Sequence, residues 1–139
     1  MHHDHSETHF LRLAIELAVQ NASAGQLPFG ALVIRDGDIL ATGVNTELGG
    51  HDPTGHAEVD AIRKACHDLR TRRLPGAVLV SSCEPCALCH VTAALAGIRR
   101  IVYAAPGEMA AAMLDAPEDP GAAVLTQMQR ALRSLAPDQ

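Results

Sequence analysis

Apolar side chains recur with two different periods in the first part of the chain. From Thr8, a candidate N-cap, they follow the 3.6-residue period of an amphipathic helix as far as Gly25. Phe29–Ile34 and Ile39–Val44 are instead rich in β-branched and aliphatic residues, as strands are. The Asp-Gly step within residues 35–38 favours a tight turn. The pattern therefore predicts a helix followed by an antiparallel hairpin.

Helices and short apolar strands alternate in the rest of the chain. Residues 46–55 are rich in glycine and are interpreted as a loop. The elements predicted after this loop are a helix from His56 to Arg70, a strand over Ala77–Ser81, a helix over Cys86–Ala96, a strand over Ile101–Ala104 and a final helix over Gly121–Leu135. The alternation is typical of an α/β sandwich, and it predicts parallel pairing of the strands after the opening hairpin.

Length and composition indicate one domain with an aliphatic core. The 139 residues suffice for a single core, so residues 1–139 are interpreted as one domain, with residues 1–8 as a solvated tail. Hydrophobic residues make up 47% of the chain. The aromatic ones among them are Phe10, Phe29 and Tyr103.

Charge and hydropathy narrow the expected partners. The formal net charge of -5 argues against a surface that grips a long phosphate backbone, although it allows a small nucleotide. No apolar run approaches the roughly 18 residues that a transmembrane helix needs, and the His-rich N-terminus has no hydrophobic signal core. We therefore expect a cytoplasmic protein without a membrane or nucleic-acid partner.

Two short motifs carry the candidate chemistry. His56-Ala57-Glu58 and Pro85–Cys89 each stand where a loop or strand gives way to a predicted helix. Side chains in a first helical turn lean toward the N-terminus, so His56, Cys86 and Cys89 can converge if the two helices lie side by side. One imidazole and two thiolates are three of the four ligands that zinc takes, which leaves a position open for water. An open position is typical of a catalytic zinc site.

Helix geometry also bears on the thiols and on Glu58. The positive ends of the two helices stabilise thiolates at Cys86 and Cys89. Glu58 is two residues from His56, roughly 200° around a helix, so it is predicted to point along a different line from the imidazole. It can nevertheless reach a water molecule at the metal and act as a base.

These motifs belong to a longer ordered set. His56-Ala57-Glu58 followed by Pro85-Cys86-x-x-Cys89 resembles the H-x-E…P-C-x-x-C signature of the zinc-dependent cytidine and deoxycytidylate deaminase superfamily. Further blocks of this sequence resemble those of bacterial guanine deaminases and tRNA adenosine deaminases. These blocks are Pro28-Phe29-Gly30-Ala31, Gly43-Val44-Asn45, His51–Glu58 and Ser82–Cys86. The resemblance covers about residues 8–105. It implies a three-layer α/β/α sandwich with a mixed sheet that opens with an antiparallel hairpin.

The resemblance also implies a role for each matched residue. His56, Cys86 and Cys89 would hold one zinc ion per chain. Glu58 would take a proton from zinc-bound water and pass it to the substrate's ring nitrogen and then to departing ammonia. The implied substrate contacts are Asn45 to the base or sugar, Phe29 as a wall against the ring, the Ala57 backbone N–H to a carbonyl or ring nitrogen, and His51 near the pocket mouth.

Other interpretations of the cysteines stay open at this point. A structural zinc site would need a fourth protein ligand, for which the candidates are Cys83, Cys66, His67 and His90, with Cys83 foremost. Such a site would leave Glu58 without a role. The run from Cys86 to His90 also matches the attachment pattern of c-type haem, which requires export.

The substrate and assembly are expectations from the same resemblance. The leading hypothesis is a hydrolytic deaminase that acts on a purine base or nucleoside, similar to guanine deaminase. The alternatives are a tRNA wobble-adenosine deaminase and a cytosine or cytidine deaminase. Residues 106–139 contain no aromatic residue, and Gly55 replaces the usual alanine, so both features depart from the family pattern. The resemblance implies a homodimer, for which Val124–Leu135 is a candidate contact surface.

Overall fold

The computed structural model describes residues 5–109 and, beyond them, Val124, Gln127, Met128, Arg130 and Ala131. The described part contains helices α1 (His5–Ser23), α2 (Glu47–Gly50), α3 (Ala57–Leu69) and α4 (Ala87–Leu95) and strands β1 (Gly30–Arg35), β2 (Asp38–Val44), β3 (Val78–Cys83) and β4 (Arg100–Ala105). Most of the helix predicted over Gly121–Leu135, and with it the candidate dimer surface, lies outside the described residues.

The four strands form one mixed sheet in the order β2-β1-β3-β4. Strand β1 pairs antiparallel with both β2 and β3, whereas β3 and β4 are parallel. The predicted parallel pairing after the hairpin is therefore confirmed for β3 and β4 and wrong for β1 and β3. The reason is the crossover through α3, which carries the chain from β2 past β1, so that β3 runs parallel to β2 but pairs with the strand between them.

The hairpin turn has the backbone that its sequence predicts. Asp36 and Gly37 both have positive φ, at 52° and 81°. Positive φ at both central residues is the conformation of a type I′ turn, whose twist matches that of the flanking strands. The Asp-Gly step is thus confirmed as the turn between β1 and β2.

Helices cover both faces of the sheet, which confirms the three-layer sandwich. One apolar cluster joins α1 to one face and includes Phe10, Ala14, Leu32, Val80 and Val102. The other joins α3 and α4 to the opposite face and includes Val33, Ala61, Ile62, Leu79 and Ala93. A glycine lies at the closest approach on each side. A Cβ at Gly30 would lie 2.6 Å from the Ala14 carbonyl oxygen, and one at Gly43 would lie 2.3 Å from that of Ala57.

Two helical segments differ from the prediction. Helix α1 begins at His5, three residues before the expected cap at Thr8 and within the predicted tail. Glu7 in its first turn pairs with Arg100 at the start of β4, and this ion pair ties the beginning of the helix to the sheet. The loop predicted over 46–55 contains the single turn α2. Within the described residues, no helix is both long enough and apolar enough to cross a bilayer.

Candidate metal centre and active site

The two motifs meet because α3 and α4 begin side by side on one face of the sheet. His56 is the N-cap of α3 and Cys86 is the N-cap of α4, and both have extended backbones, with ψ of 147° and 179°. Cys89 follows one turn later in α4 and is buried. The strand β3 leads directly into the loop before Cys86. Packing of the two helices on the sheet therefore brings all three side chains together.

The three side chains have the spacing of a zinc site. His56 Nδ1 lies 3.3 Å from Cys86 Sγ and 3.5 Å from Cys89 Sγ, and the two sulfurs are 3.7 Å apart. A tetrahedral zinc ion, with Zn–S near 2.3 Å and Zn–N near 2.0 Å, separates two sulfur ligands by about 3.8 Å and a sulfur from a nitrogen by about 3.5 Å. The donor set and its spacing both fit zinc, and His56, Cys86 and Cys89 would hold the ion.

The three candidate ligands shift one another's pKa values. The pKa of the Cys86 thiol is lowered well below its ordinary value, chiefly by its hydrogen bond with Cys89 and also by His56. The pKa of Cys89 is raised by its hydrogen bond with Cys86, by burial and by the neighbouring Glu58 carboxylate. The pKa of His56 is raised by its hydrogen bond with Cys86, whereas burial alone would lower it. Ligands in such a site bind metal only when deprotonated, so zinc displaces these protons.

Glu58 lies beside the ligand cluster without being part of it. Its Oε2 accepts a hydrogen bond from Cys89 Sγ at 3.2 Å, and its Oε1 accepts one from Ser81 Oγ at 2.6 Å. The residue is buried, with only 6% of its surface exposed. Among the described residues, the ligand atoms that all lie within 4.8 Å of one another belong to His56, Cys86 and Cys89 alone. Such a group has three protein ligands and an adjacent buried acid, which is the arrangement of a catalytic site.

Glu58 reaches the ligand cluster although it is two residues from His56. Its Oε2 contacts Cys89 Sγ, which also contacts His56 Nδ1, and the direction of the Glu58 side chain relative to the imidazole stays a prediction. The 100° step per residue applies only inside a helix. His56 is the N-cap and has an extended backbone, so the angle between its side chain and that of Glu58 does not follow the helical period.

Asn45 and Glu47 form the other side of the site. Asn45 is 2% exposed; its Nδ2 donates to Glu47 Oε1 at 2.8 Å, and its Oδ1 accepts from the Glu47 backbone N–H at 3.0 Å. Glu47 Oε1 also lies 3.3 Å from His56 Nε2, the ring nitrogen opposite the thiols. The Asn21 amide donates to the Asn45 carbonyl at 2.9 Å. A chain of polar contacts thus runs from α1 to the imidazole.

The remaining predicted substrate contacts lie at different depths. Ala57 is fully buried in the first turn of α3, directly after His56. Phe29 is half-buried, packs against the cluster under α3 and α4, and accepts the Asn45 N–H on its carbonyl. His51 is exposed and ends α2 in the left-handed conformation, at φ 48°. The roles of Asn45, Phe29, Ala57 and His51 toward a substrate stay predictions.

The alternative fourth ligands lie apart from the cluster. Cys83 is buried, and its Sγ donates to the Pro106 carbonyl at 3.6 Å. Cys66 and His67 are near the far end of α3 from His56. His90 follows Cys89 in α4 but is outside the group of mutually close ligand atoms. None of these residues joins the group, so the part of the chain that the structure describes offers no fourth protein ligand there.

Sequence reasoning missed three residues of the site. Ser81 holds Glu58, Glu47 faces His56, and Asn21 supports Asn45. A signal existed for Ser81, because it is one of two serines in a strand that is otherwise apolar and buried. For Glu47 the short Asn-x-Glu spacing was the available signal. Asn21 had none, because it lies 24 residues from Asn45 in an ordinary helix.

Comparison with known proteins gives a consistent result. The family described as "Cytidine and deoxycytidylate deaminase zinc-binding region" matches residues 4–105. The guanine deaminase of Bacillus subtilis is 44% identical over 97 residues, which are 69% of this chain and 62% of that protein. A tRNA-specific adenosine deaminase of Agrobacterium fabrum is 40% identical over 98 residues, 70% of this chain and 64% of that protein.

A solved structure of the Bacillus subtilis guanine deaminase has the same fold. It superposes with a TM-score of 0.74 and 42% identity, over 81% of this chain and 69% of that one. In the two sequence matches given above, this chain covers less than two thirds of the relative's length, at 62% and 64%. The match over residues 4–105 includes every residue of the ligand cluster and Glu58. The chain belongs to the cytidine and deoxycytidylate deaminase zinc-binding family.

Proposed function

We propose that the protein is a zinc-dependent hydrolase that removes the amino group of a purine base or nucleoside and releases ammonia. The observation that carries the proposal is the buried Glu58 carboxylate, whose Oε2 lies 3.2 Å from the ligand Cys89 while Ser81 holds its other oxygen. A structural zinc site has no use for such an acid. The family membership and the similarity to a guanine deaminase support the same reaction.

Ser81 and Glu58 have separate roles in the proposed reaction. Zinc in a site of this kind supplies Lewis-acid chemistry that makes water nucleophilic near neutral pH. Ser81 fixes Oε1 of Glu58, so that Oε2 is the oxygen that carries the proton. Glu58 takes one proton from the attacking water and delivers it to the ring nitrogen. It then moves the second proton, from the hydroxyl group now bonded to the ring carbon, to the leaving amine. Ammonia departs, and a carbonyl replaces the amino group.

The substrate is held by the side of the site that faces away from the sulfurs. We assign Asn45 to a hydrogen bond with the base or sugar, Phe29 to the wall against the ring and the Ala57 N–H to a carbonyl or ring nitrogen. We also assign His51, which is exposed, to the mouth of the pocket. The Asn45 side-chain amide has two N–H donors. One donates to Glu47 Oε1, and we assign the other to the substrate.

The experiment measures metal and turnover separately. The purified protein is expected to bind one zinc ion per chain and to release ammonia from at least one member of a panel of guanine, adenine, cytosine and their nucleosides. Glu58→Gln is expected to lower kcat by at least about a thousandfold while zinc stays bound. Asp60→Asn is the matched control, because Asp60 is a carboxylate of the same helix turned to Lys64 and Val44. Glu58→Gln with full activity would contradict the proposal.

A second candidate is deamination of tRNA adenosine. The similarity to a tRNA-specific adenosine deaminase is nearly as high as that to guanine deaminase and favours this candidate. The net charge of -5 and the three aromatic residues favour the small substrate instead. An anticodon stem-loop assayed beside free bases and nucleosides separates the two. Turnover of the stem-loop alone would replace the first proposal by the second.

We further propose that the chain acts in the cytoplasm as a homodimer. Free cysteines that ligate zinc are suited to a reducing compartment. Val91 and Leu95 are exposed one turn apart on α4, with Leu95 at 71%, and they form an apolar face next to the metal centre. Light scattering of Leu95→Lys is expected to give the mass of one chain. The control is Val19→Lys, on the opposite face of the sheet, which should keep the mass of two chains. An unchanged mass for Leu95→Lys would contradict this surface.

A further inference from the structure

Glu47 lies against the side of the His56 ring that faces away from the thiols. Its Oε1 is 3.3 Å from Nε2, whereas Nδ1 of the same ring faces Cys86 and Cys89. The two nitrogens of an imidazole are coupled, because a negative group beside one of them makes the other a stronger electron donor. A carboxylate in this position therefore acts on the strength of the Nδ1 ligand.

The carboxylate of Glu47 is held in place from two sides. Asn45 binds both its side chain and its backbone N–H, at 2.8 Å and 3.0 Å. Asn45 itself is buried and is tied to α1 through Asn21. Glu47 is therefore attached to the core of the protein, unlike an acid on a freely moving loop, and its orientation toward His56 is built into the fold.

The backbone beside His56 is shaped to admit this loop. The residue before His56 is Gly55, whose carbonyl accepts the Thr46 N–H at 2.8 Å. A Cβ at Gly55 would lie 2.7 Å from Thr46 Oγ1 and 2.9 Å from the Glu47 backbone nitrogen. Because real Cβ atoms do not approach so closely, only glycine allows the segment with Glu47 to pack here. The absence of a side chain at 55 thus admits the segment that carries Glu47 without a shift of its backbone.

We propose that Glu47 is a positioning residue that orients His56 and strengthens it as a metal ligand through its negative charge. The inference rests on the proposed zinc site but does not depend on which substrate the enzyme uses. As an ordinary pair at the protein surface, Glu47 and His56 would contribute little, because their side chains are 31% and 19% exposed. The contact matters because one partner is a ligand, and partners of this kind change metal affinity by about 10- to 100-fold.

The decisive variant is Glu47→Gln, which has the same shape but no charge. Its Oε1 can still accept the Asn45 amide, so the loop keeps its anchor while the negative charge beside Nε2 disappears. The matched control is Asp52→Asn, which removes one charge from the same loop where the side chain caps Thr54. Glu47→Ala, which removes both the charge and the anchor, is the second variant.

Affinity is measured with Zn²⁺ alone, in competition with a chromophoric chelator and without any substrate. We expect Glu47→Gln to bind Zn²⁺ about tenfold more weakly than the parent, Glu47→Ala at least as weakly as Glu47→Gln, and Asp52→Asn within twofold of the parent. The sulfur-to-metal absorption bands of the Co²⁺-loaded Glu47→Gln protein should persist, because both thiolates stay bound. In the zinc-loaded parent, exchange of the His56 Nε2 proton with water should be slower than in Glu47→Gln.

The outcomes separate this inference from the proposed reaction. Equal Zn²⁺ affinity for the parent and Glu47→Gln, with a loss only in Glu47→Ala, would make Glu47 a loop anchor and overturn the inference. An equal loss in Asp52→Asn would also overturn it, because net charge would then explain the effect. A protein that shows the expected affinity pattern but deaminates no base or nucleoside would contradict the proposed function and leave the role of Glu47 supported.

Discussion

The two sides of the site are built by different kinds of interaction. On the ligand side, His56, Cys86 and Cys89 stand at the beginnings of two helices that pack on the sheet through an apolar cluster. On the loop side, residues 45–55 are held by hydrogen bonds from side chains to one another and to the backbone. Burial of apolar surface positions the metal ligands, whereas a polar network positions the residues opposite them.

This difference decides how each side should respond to substitution. A packed helix start keeps its position when one polar side chain changes, so a ligand variant should lose the metal and keep the fold. A polar network depends on all of its members, and the removal of one leaves its partner unsatisfied. Variants of the two sides should therefore separate metal loss from loss of local order.

The largest effect is expected from removal of a ligand. Cys89→Ser should lower Zn²⁺ affinity by at least about a hundredfold, because a four-ligand site shares about 10–16 kcal/mol of binding free energy and each ligand contributes about 3 kcal/mol. Far-UV circular dichroism should stay unchanged. Cys83→Ser is the control, since Cys83 is buried nearby but bonds to Pro106. Equal zinc loss in both variants would show that Cys83 is also a ligand.

The ligand side could be predicted from sequence because its signals are local. Cys86 and Cys89 are one turn apart, and the helix that follows them is apolar on one side. His56 likewise precedes an amphipathic helix. The sequence argument took the side-by-side packing of these two helices as its condition, and the structure meets this condition because both helices pack on one face of the sheet. The zinc prediction needed no contact beyond these.

The loop side and the strand order could not be predicted in the same way. Whether Asn45 meets Glu47 depends on the backbone of a glycine-rich loop, and its support by Asn21 joins segments with no local pattern in common. The antiparallel pairing of β1 with β3 depends on where the crossover through α3 places β3. The alternation of elements predicts a crossover but does not say which strand the new one joins.

The next largest effect is expected where α3 touches the sheet. Gly43→Ala would place its Cβ 2.3 Å from the Ala57 carbonyl and 2.4 Å from the Ala61 nitrogen. Both are backbone atoms of α3, so the helix must move away, and we expect a loss of about 3 kcal/mol in the free energy of unfolding measured with urea. Since α3 carries His56, zinc affinity should also fall. Thr42→Ala, exposed on the same strand, should cost less than about 1 kcal/mol. A smaller loss for Gly43→Ala than for Thr42→Ala would contradict this close packing.

A smaller effect is expected at Ser81, whose hydroxyl holds Oε1 of Glu58 at 2.6 Å. Ser81→Ala should lower kcat about tenfold on the substrate found in the assay panel, with little change in KM and full zinc content, because the carboxylate loses its orientation. Ser82→Ala is a matched control: Ser82 accepts a hydrogen bond from the Gly30 N–H and does not contact Glu58. A tenfold loss in both variants would indicate a general effect on β3.

The smallest effect is expected at His51, and it tests the loop side directly. His51 has φ 48°, a left-handed backbone that costs a residue with a Cβ about 1 kcal/mol more than glycine. His51→Gly should therefore raise the free energy of unfolding by about 0.5–1 kcal/mol and leave zinc affinity unchanged. Asparagine tolerates this conformation better than histidine, so the free energy of unfolding of His51→Asn should fall between those of the parent and His51→Gly. If the His51 side chain also contacts the substrate, both variants should raise KM several-fold at constant kcat. Unchanged KM in both would restrict His51 to ending α2 and remove it from substrate binding, because the backbone is preserved and only the imidazole has been lost.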